Sequence, residues 1–468
     1  MESGKQGLTL KREVGLIGAV SFIAGTMMGS GIFISPQYVL SVIGSPGASL
    51  IIWTCCGLLA MLGGLCYAEL GTIIPESGGE YIYMLRTTGK VTAFMFVFSF
   101  IIVMKPVSAT GIALSFGEYV VAPFYEGCSV PQGLVKCVAA GAILTLSVIN
   151  CLSVRLATHI QVLSMGVKIL ALVVIILGGC ILLFQGNTEN FNNAFEGTNV
   201  GVSTIGMAFY QGLWSYAGWY NLNYVTEELK RPEVNLPRAV VIAISLVTGL
   251  YLLVNVSYLT VMTPTELMSS NAVAVTWGNK VLGSWGWIMS VAAALSAFGS
   301  LNGTFFGGSR MCFVAAREGH MPEILAMAHV HRLTPSPALI FTTIISLVVL
   351  IPGDFQSIVN YFSFTAWFFY AITLSGLLYL KIKKPELPRP YTVPIILPIL
   401  VLIAAIFLVL APIIDSPQIE YLYVALFIFS GVIVYVPFIH YKLCPGLLTK
   451  LTVFLQLLLK VALAEKNL

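Results

Sequence analysis

Charged side chains are scarce in this sequence of 468 residues: Asp, Glu, Lys and Arg make up 9% of it, and hydrophobic residues 57%. Soluble domains carry roughly 25% charged residues, so the composition indicates a polytopic membrane protein. The sequence also lacks HExxH and GxSxG motifs, any C-x-x-C pair and any His/Cys cluster. We therefore expect no metal site, no cofactor, no nucleic-acid partner and no enzymatic activity.

Twelve apolar stretches of about membrane length follow one another with short loops between them. The first stretch follows Lys5, Lys11 and Arg12 and lacks a small-residue cleavage site, so a removable signal peptide is not expected. An even number of spans places both termini on the same side. The predicted spans are 14–36, 45–71, 91–124, 134–152, 160–184, 202–226, 238–262, 281–311, 337–352, 357–380, 394–413 and 420–441.

Basic residues are distributed unequally between the two sides of these spans. Twenty of the 24 Lys and Arg residues lie on the side of the N-terminus, whereas the opposite loops contain only Lys136 and Lys280. The positive-inside rule therefore predicts a cytoplasmic N-terminus at 1–13 and a cytoplasmic C-terminus. We expect the tail at 442–468 to form an amphipathic helix on the inner membrane surface, and a short helix at 322–330 in the preceding cytoplasmic region.

Glycine and serine interrupt two of the spans. Gly29-Ser30-Gly31 lies within the first span, and the sixth contains Gly206, Gly212 and Gly218. Unwound backbone at bilayer depth persists only where it lines a cavity or site, and matching breaks in two halves are typical of secondary transporters. The spans then form two five-helix repeats, 14–184 and 202–380, of opposite orientation, followed by helices 11 and 12 at 394–441.

The first break offers both partners that a zwitterion needs. Backbone N–H groups of Ser30, Gly31 and Ile32 begin the second half-helix, and a helix N-terminus attracts a carboxylate. Carbonyl oxygens near Met27 end the first half-helix and suit an ammonium group. Close helix packing remains the alternative, because Gly25-x-x-x-Gly29 also fits a small-residue packing motif.

Three further side chains lie inside spans. Trp214, beside the sixth-span break, is interpreted either as a gate over the substrate or as part of an aromatic packing cluster. Lys168 either binds carbonyls freed by the first break, in place of a sodium ion, or extends to the inner interface. Lys105 receives no role.

Cys128 differs from most of the nine cysteines because it lies in the loop after span 3, on the oxidising side. A free thiol or a bond to nearby Cys137 is one interpretation. The other is an intermolecular disulfide to a partner chain, since an unpaired extracellular cysteine favours such a bond.

Five segments together resemble the light subunits of heteromeric amino-acid transporters, in the amino acid–polyamine–organocation superfamily. Within that family the likeness is strongest to light subunits that exchange cystine and dibasic amino acids. The segments are GSGIF within 25–33, LWSYAGWYNLNYVTEEL at 213–229, 271–280, AREGHMPEIL at 316–325 and FSFTAWFFY at 362–370.

The resemblance implies an all-α, twelve-helix LeuT-like fold with broken helices 1 and 6. It implies sodium-independent exchange of amino acids across the plasma membrane and a single-span glycoprotein heavy chain linked through Cys128. The substrate carboxylate would lie at Ser30 and Gly31, and the amine near Met27, Trp214 and Ala217. Lys168 matches the lysine that replaces sodium in relatives.

Two positions depart from the family pattern. The cystine/dibasic light subunits have an aspartate where this chain has Ala217, and the cystine/glutamate relative has an arginine where Ala366 stands. Burying an unpaired charge is costly, so a pocket that includes Ala217, Ala366 and Trp367 predicts large neutral or aromatic substrates. Exchange of cystine or charged amino acids is the alternative. A channel-like pore or a non-transporting membrane subunit is the alternative class.

Overall fold

The computed structural model describes residues 12–463, except 13, 30, 126–127, 129, 271, 330, 332–333, 354, 415–417 and 441–444. Over these residues the chain is almost entirely α-helical. The helices are α1 Leu16–Met27, α2 Gly31–Ile43, α3 Pro46–Ile73, α4 Glu80–Thr87, α5 Lys90–Ser99, α6 Lys105–Val121, α7 Gln132–Leu152, α8 Val154–Phe184, α9 Val202–Ser215, α10 Pro232–Val261, α11 Pro264–Ser269, α12 Val273–Val281, α13 Trp287–Arg317, α14 Ser336–Leu350, α15 Phe355–Lys383, α16 Ile396–Ile414, α17 Ile419–Tyr435 and α18 Pro445–Leu459.

Short turns of other helix types connect or extend these helices. A π-helical turn at Phe100–Met104 joins α5 to α6, so the two form one long span, and a second at Val436–His440 extends α17. Turns of 3-10 helix lie at Ala122–Phe124, Glu189–Phe191, Asn221–Glu228, Gly283–Trp285 and Glu323–Ala326.

Eight helices of the described chain are long and apolar enough to cross a membrane, and a ninth span results if α1 and α2 count as one. The sixth, ninth and twelfth predicted spans correspond instead to the shorter helices α9, α14 and α17. α9 is short because the chain turns after Ser215, and α14 ends just before Pro352-Gly353. Pro437 lies in the π-helical extension of α17, as expected for a residue without a backbone N–H.

Large apolar side chains point outward from the helices. On α8, Leu163 is 71% exposed and Leu170 is 65% exposed, and on α16 Ile403 is 60% exposed. An exposed apolar surface of this extent is unfavourable in water but matches lipid hydrocarbon. The protein is therefore a multi-pass membrane protein, as its composition predicts.

Buried ion pairs join helices near the side that carries most of the basic residues. Glu69, at the end of α3, is fully buried and lies 2.9 Å from Lys381 of α15. Glu227 of the 3-10 segment lies 3.0 Å from Arg317 of α13. Because removing one partner of such a pair leaves a buried charge, these contacts fix how the helices approach one another on that side.

A two-stranded antiparallel sheet links the tail to the region after α13. Strand β1, Met327–His329, pairs with β2, Val461–Leu463, with Ala328 opposite Ala462. The predicted short helix at 322–330 is therefore wrong in its second half, where backbone pairing with the distant tail determines the structure.

Candidate functional site

The first candidate binding element is the interruption between α1 and α2, whose axes differ by 43°. Met28 follows α1 with a ψ of 53°, which ends the helical path, and α2 begins at Gly31. Ser30 lies outside the described residues, so its contact with a substrate carboxylate stays a prediction. The last carbonyl groups of α1 are left without partners in the helix and need other donors.

Side chains from three different helices donate to those carbonyls. The ammonium of Lys168, on α8, is fully buried and donates to the carbonyl oxygen of Gly25. Ser300 Oγ, on α13, lies 3.2 Å from the carbonyl oxygen of Thr26. Tyr251 Oη, on α10, lies 2.5 Å from the carbonyl oxygen of Met27. Lys168 thus does not extend to the interface, while its role in place of sodium stays a prediction.

The second break separates α9 from the 3-10 segment Asn221–Glu228. α9 ends at Ser215, and residues 216–220 turn before the 3-10 segment begins. Gly218 has a φ of +115°, a conformation that glycine adopts at little cost and other residues rarely adopt. The carbonyl oxygen of Ser215 lies 2.8 Å from Tyr251 Oη, so one hydroxyl group reaches the broken ends of both helices.

The two breaks are in direct contact, which only glycine permits. A Cβ atom on Gly31 would lie 2.7 Å from Ser215 Cα. A Cβ atom on Gly218 would lie 2.9 Å from Thr26 Cγ2, and one on Gly29 would lie 2.3 Å from Ser300 Oγ. The glycines therefore do more than weaken the helices, because they let the two broken segments approach each other.

A central cavity lies at this junction. Four of the predicted substrate-binding residues line it: Met27, Gly31, Trp214 and Ala217. Its polar lining comes largely from residues that were not predicted to bind substrate. These are Thr26, Lys105, Ser108, Tyr220, Asn221, Ser300 and Thr304.

A second cavity lies beyond Trp214 and is lined by the other two predicted pocket residues, Ala366 and Trp367. Trp214, Ala217 and Tyr220 line both cavities and so separate them. The Trp214 ring packs edge-on against Phe362, with centroids 5.4 Å apart. Trp214 therefore stands between two compartments and packs within an aromatic cluster, while its role as a gate over the substrate stays a prediction.

Ile32 lies behind the cavity wall. Its side chain is fully buried, it is not among the residues that line either cavity, and its carbonyl oxygen lies 3.5 Å from Tyr258 Oη. A contribution from its backbone N–H stays a prediction.

Tyr251 and Ser300 were not among the site residues predicted from the sequence. The signal for Ser300 was present, because Ser296, Ser300 and Thr304 recur every four residues and so share one face of a helix. Tyr251 gave a weaker signal, since the apolar seventh span also contains Tyr258 and tyrosine packs in helix interiors without contacting a site.

Cys128 is exposed and precedes α7, and its backbone N–H donates to Tyr125 over 3.1 Å. Cys137 is also exposed, and both cysteines are free. The structure therefore has no disulfide between Cys128 and Cys137. A free thiol and an intermolecular disulfide are the interpretations that remain for Cys128. The thiol of Cys128 is accessible to another chain.

Interrupted helices that meet around a polar cavity in a multi-pass protein define a membrane transporter, and the sequence motifs point to amino acids as its cargo. Residues 14–438 match the family model described as amino acid permease, and the chain belongs to that family. It is an amino-acid transporter and not an enzyme. The resemblance to the light-subunit family is confirmed.

Relatives at high identity cover nearly the whole chain. The human b(0,+)-type amino acid transporter 1 is 50% identical over 461 residues, 98% of this chain and 95% of that protein. The human large neutral amino acids transporter small subunit 2 is 44% identical over 89% of this chain and 78% of that protein. The human cystine/glutamate transporter is 42% identical over 88% and 83%.

Proposed function

We propose that this chain is a sodium-independent exchanger of amino acids in the plasma membrane, with both termini in the cytoplasm. It acts through twelve spans arranged as two inverted five-helix repeats of the LeuT type, 14–184 and 202–380. Each predicted span coincides with a helix, or with a pair of helices, of the structure. The breaks occupy the first and sixth positions, as such a repeat requires.

The direct contact of the two breaks around a cavity is the observation that carries this proposal. The substrate carboxylate would lie at the N-terminus of α2, near Gly31, where helical N–H groups are free. The amine would lie near the carbonyls at the ends of α1 and α9. In this proposal the Lys168 side chain, which donates to the carbonyl of Gly25, takes the place of a sodium ion, and this contact supports exchange without sodium.

The side-chain preference of the exchanger has two candidate ranges. The small residues Ala217 and Ala366 favour large neutral or aromatic side chains. The relatives give stronger support to the alternative, cystine or charged amino acids, because the 50% identical protein is of b(0,+) type and another is named for cystine and glutamate. We propose a range that includes these substrates rather than one restricted to large neutral amino acids.

Counterflow in proteoliposomes tests the function and the range together. The reconstituted chain should accumulate labelled leucine only when the vesicles are preloaded with an unlabelled amino acid, and equally with and without sodium. Competition by phenylalanine, cystine, lysine and glutamate then ranks the side chains. Conductance without saturable counterflow would instead indicate a channel-like pore, and partner binding without exchange would indicate a non-transporting subunit.

We also propose that Cys128 forms the disulfide to a single-span glycoprotein heavy chain. Replacing Cys128 with serine should remove the reduction-sensitive heterodimer band on a non-reducing gel, because the exposed thiol is the covalent link. Replacing the equally exposed Cys137 with serine is the matched control and should leave the band intact. A heterodimer band that persists in the Cys128→Ser variant would contradict this assignment.

A further inference from the structure

Lys105 is the charged side chain in the lining of the central cavity. It begins α6, is 7% exposed, and its Nζ lies 5.5 Å from the ring centroid of Phe100 and 5.6 Å from that of Tyr224. Among the residues that the structure describes, no carboxylate forms an ion pair with it. A buried ammonium without an adjacent carboxylate is costly, and a charge farther away reduces that cost.

Glu80 supplies a negative charge on the far side of the same aromatic cluster. It is the first residue of α4, it is 1% exposed, and its carboxylate lies beside the hydroxyl groups of Tyr67 and Tyr224, which can donate to it. Tyr67, Tyr220, Tyr224, Tyr370 and Lys105 are the groups that interact with it electrostatically. Tyr224 lies beside both groups, and Glu80 and Lys105 interact electrostatically.

The electrostatic consequence follows from the position of the pair. A lone ammonium in a cavity of low dielectric would attract an anionic substrate side chain and repel a cationic one. A carboxylate behind it cancels most of that field, and the cavity can then accept a side chain without net charge.

We propose that Glu80 and Lys105 form a compensating charge pair and that the balance between them sets which net charge the cavity accepts on the substrate side chain. Glu80 is a positioning residue that acts through Lys105, and Lys105 is the group that the substrate meets. This inference rests on the proposed function, since it assumes that the central cavity holds the substrate.

Glutamine and glutamate test the proposal because they have nearly the same shape and differ in charge. In counterflow of labelled leucine by the full-length chain, inhibition by each is measured for the wild type and for Glu80→Gln. The variant leaves Lys105 uncompensated, so the affinity for glutamate relative to glutamine should rise roughly tenfold. The matched control is Glu118→Gln, which removes an acid at the other end of α6 and should leave the ratio unchanged.

The opposite variant tests the same pair from the other side. Lys105→Met leaves Glu80 uncompensated, so the affinity for lysine relative to its neutral analogue norleucine should rise by a similar factor. The double variant Glu80→Gln/Lys105→Met buries neither charge and should show neither shift. If Glu80→Gln alone does not fold, the proposal can still be tested. The ratio of lysine to norleucine affinity is then compared between Lys105→Met and the double variant.

The proposal would be overturned if folded Glu80→Gln kept the wild-type ratio of glutamate to glutamine affinity and folded Lys105→Met kept the wild-type ratio of lysine to norleucine affinity. It would also be overturned if the double variant showed the same shift as either single variant. Failure of the proposed function gives a different result, because the wild type and Glu118→Gln would then show no leucine counterflow at all.

The pH dependence of the wild type gives a second readout. Burial raises the pKa of Glu80 to about 7, so acidification through neutral pH protonates it and should raise the glutamate-to-glutamine ratio, as Glu80→Gln does. His320, which contacts Tyr81 on α4, has its pKa lowered to about 4 by burial and stays neutral over that range. The ratio in the double variant Glu80→Gln/Lys105→Met should not change with pH, and a dependence that persists there would contradict this link.

Discussion

Replacing Lys168 with methionine should reduce the rate of amino-acid exchange at least tenfold without preventing folding. The ammonium donates to the carbonyl of Gly25 at the end of α1, and methionine fills a similar volume without that donor. A hydrogen bond to a charged group contributes about 1.5–3 kcal/mol, which is enough to displace the end of α1 from the position in which Met27 and Thr26 line the cavity. The measurement is counterflow of labelled leucine, normalised to the amount of folded protein.

The control for this change lies two residues away on the same helix. A Cβ atom on Gly166 would meet nothing within 4 Å, so Gly166→Ala should exchange at the wild-type rate. If Lys168→Met exchanges at the wild-type rate, then the lysine does not hold the first break in its working position. If the variant gains a dependence on sodium, the interpretation of Lys168 as a substitute for sodium receives direct support.

Replacing Gly31 with alanine should abolish measurable exchange. The added Cβ atom would lie 2.7 Å from both Cα and Oγ of Ser215. A backbone atom cannot rotate away, so the two breaks must separate. Overpacking of this kind costs about 1–3 kcal/mol in a rigid core, and here the strain falls on the contact that forms the cavity. We expect loss of substrate-induced thermal stabilisation together with loss of counterflow.

Gly249, on α10, is the matched control, because a Cβ atom there would meet nothing within 4 Å. Gly249→Ala should retain both exchange and thermal stabilisation by substrate. Wild-type exchange in Gly31→Ala would contradict the direct contact between the breaks and, with it, the position of the binding site.

The sequence predicted the class, the order of the spans and both breaks because each depends on local composition. Apolar length marks a span, and glycine within it marks an interruption. The early ends of helices α9, α14 and α17 were not predicted. A window of roughly 20 residues does not detect the point at which a turn or a π-helical segment replaces regular helix. The pairing of β1 with β2 was not predicted for a different reason. Nothing in residues 327–329 specifies a partner strand more than 130 residues away in the sequence.

The candidate site was predicted in outline but not in its polar lining. Met27, Gly31, Trp214 and Ala217 lie at the breaks themselves, and their position in the chain places them at the cavity. Tyr251, Ser300 and Lys105 come from neighbouring helices. Their roles depend on how α10, α13 and α6 pack around the breaks, which periodicity in one sequence does not determine.

Tyr251 places a single proton between two acceptors. Its hydroxyl group lies within hydrogen-bond distance of the carbonyl oxygens of Met27 and Ser215, yet it has only one hydrogen to donate. At any instant one of these oxygens is therefore left with a free lone pair facing the junction, and a phenylalanine at this position would leave both oxygens in that state.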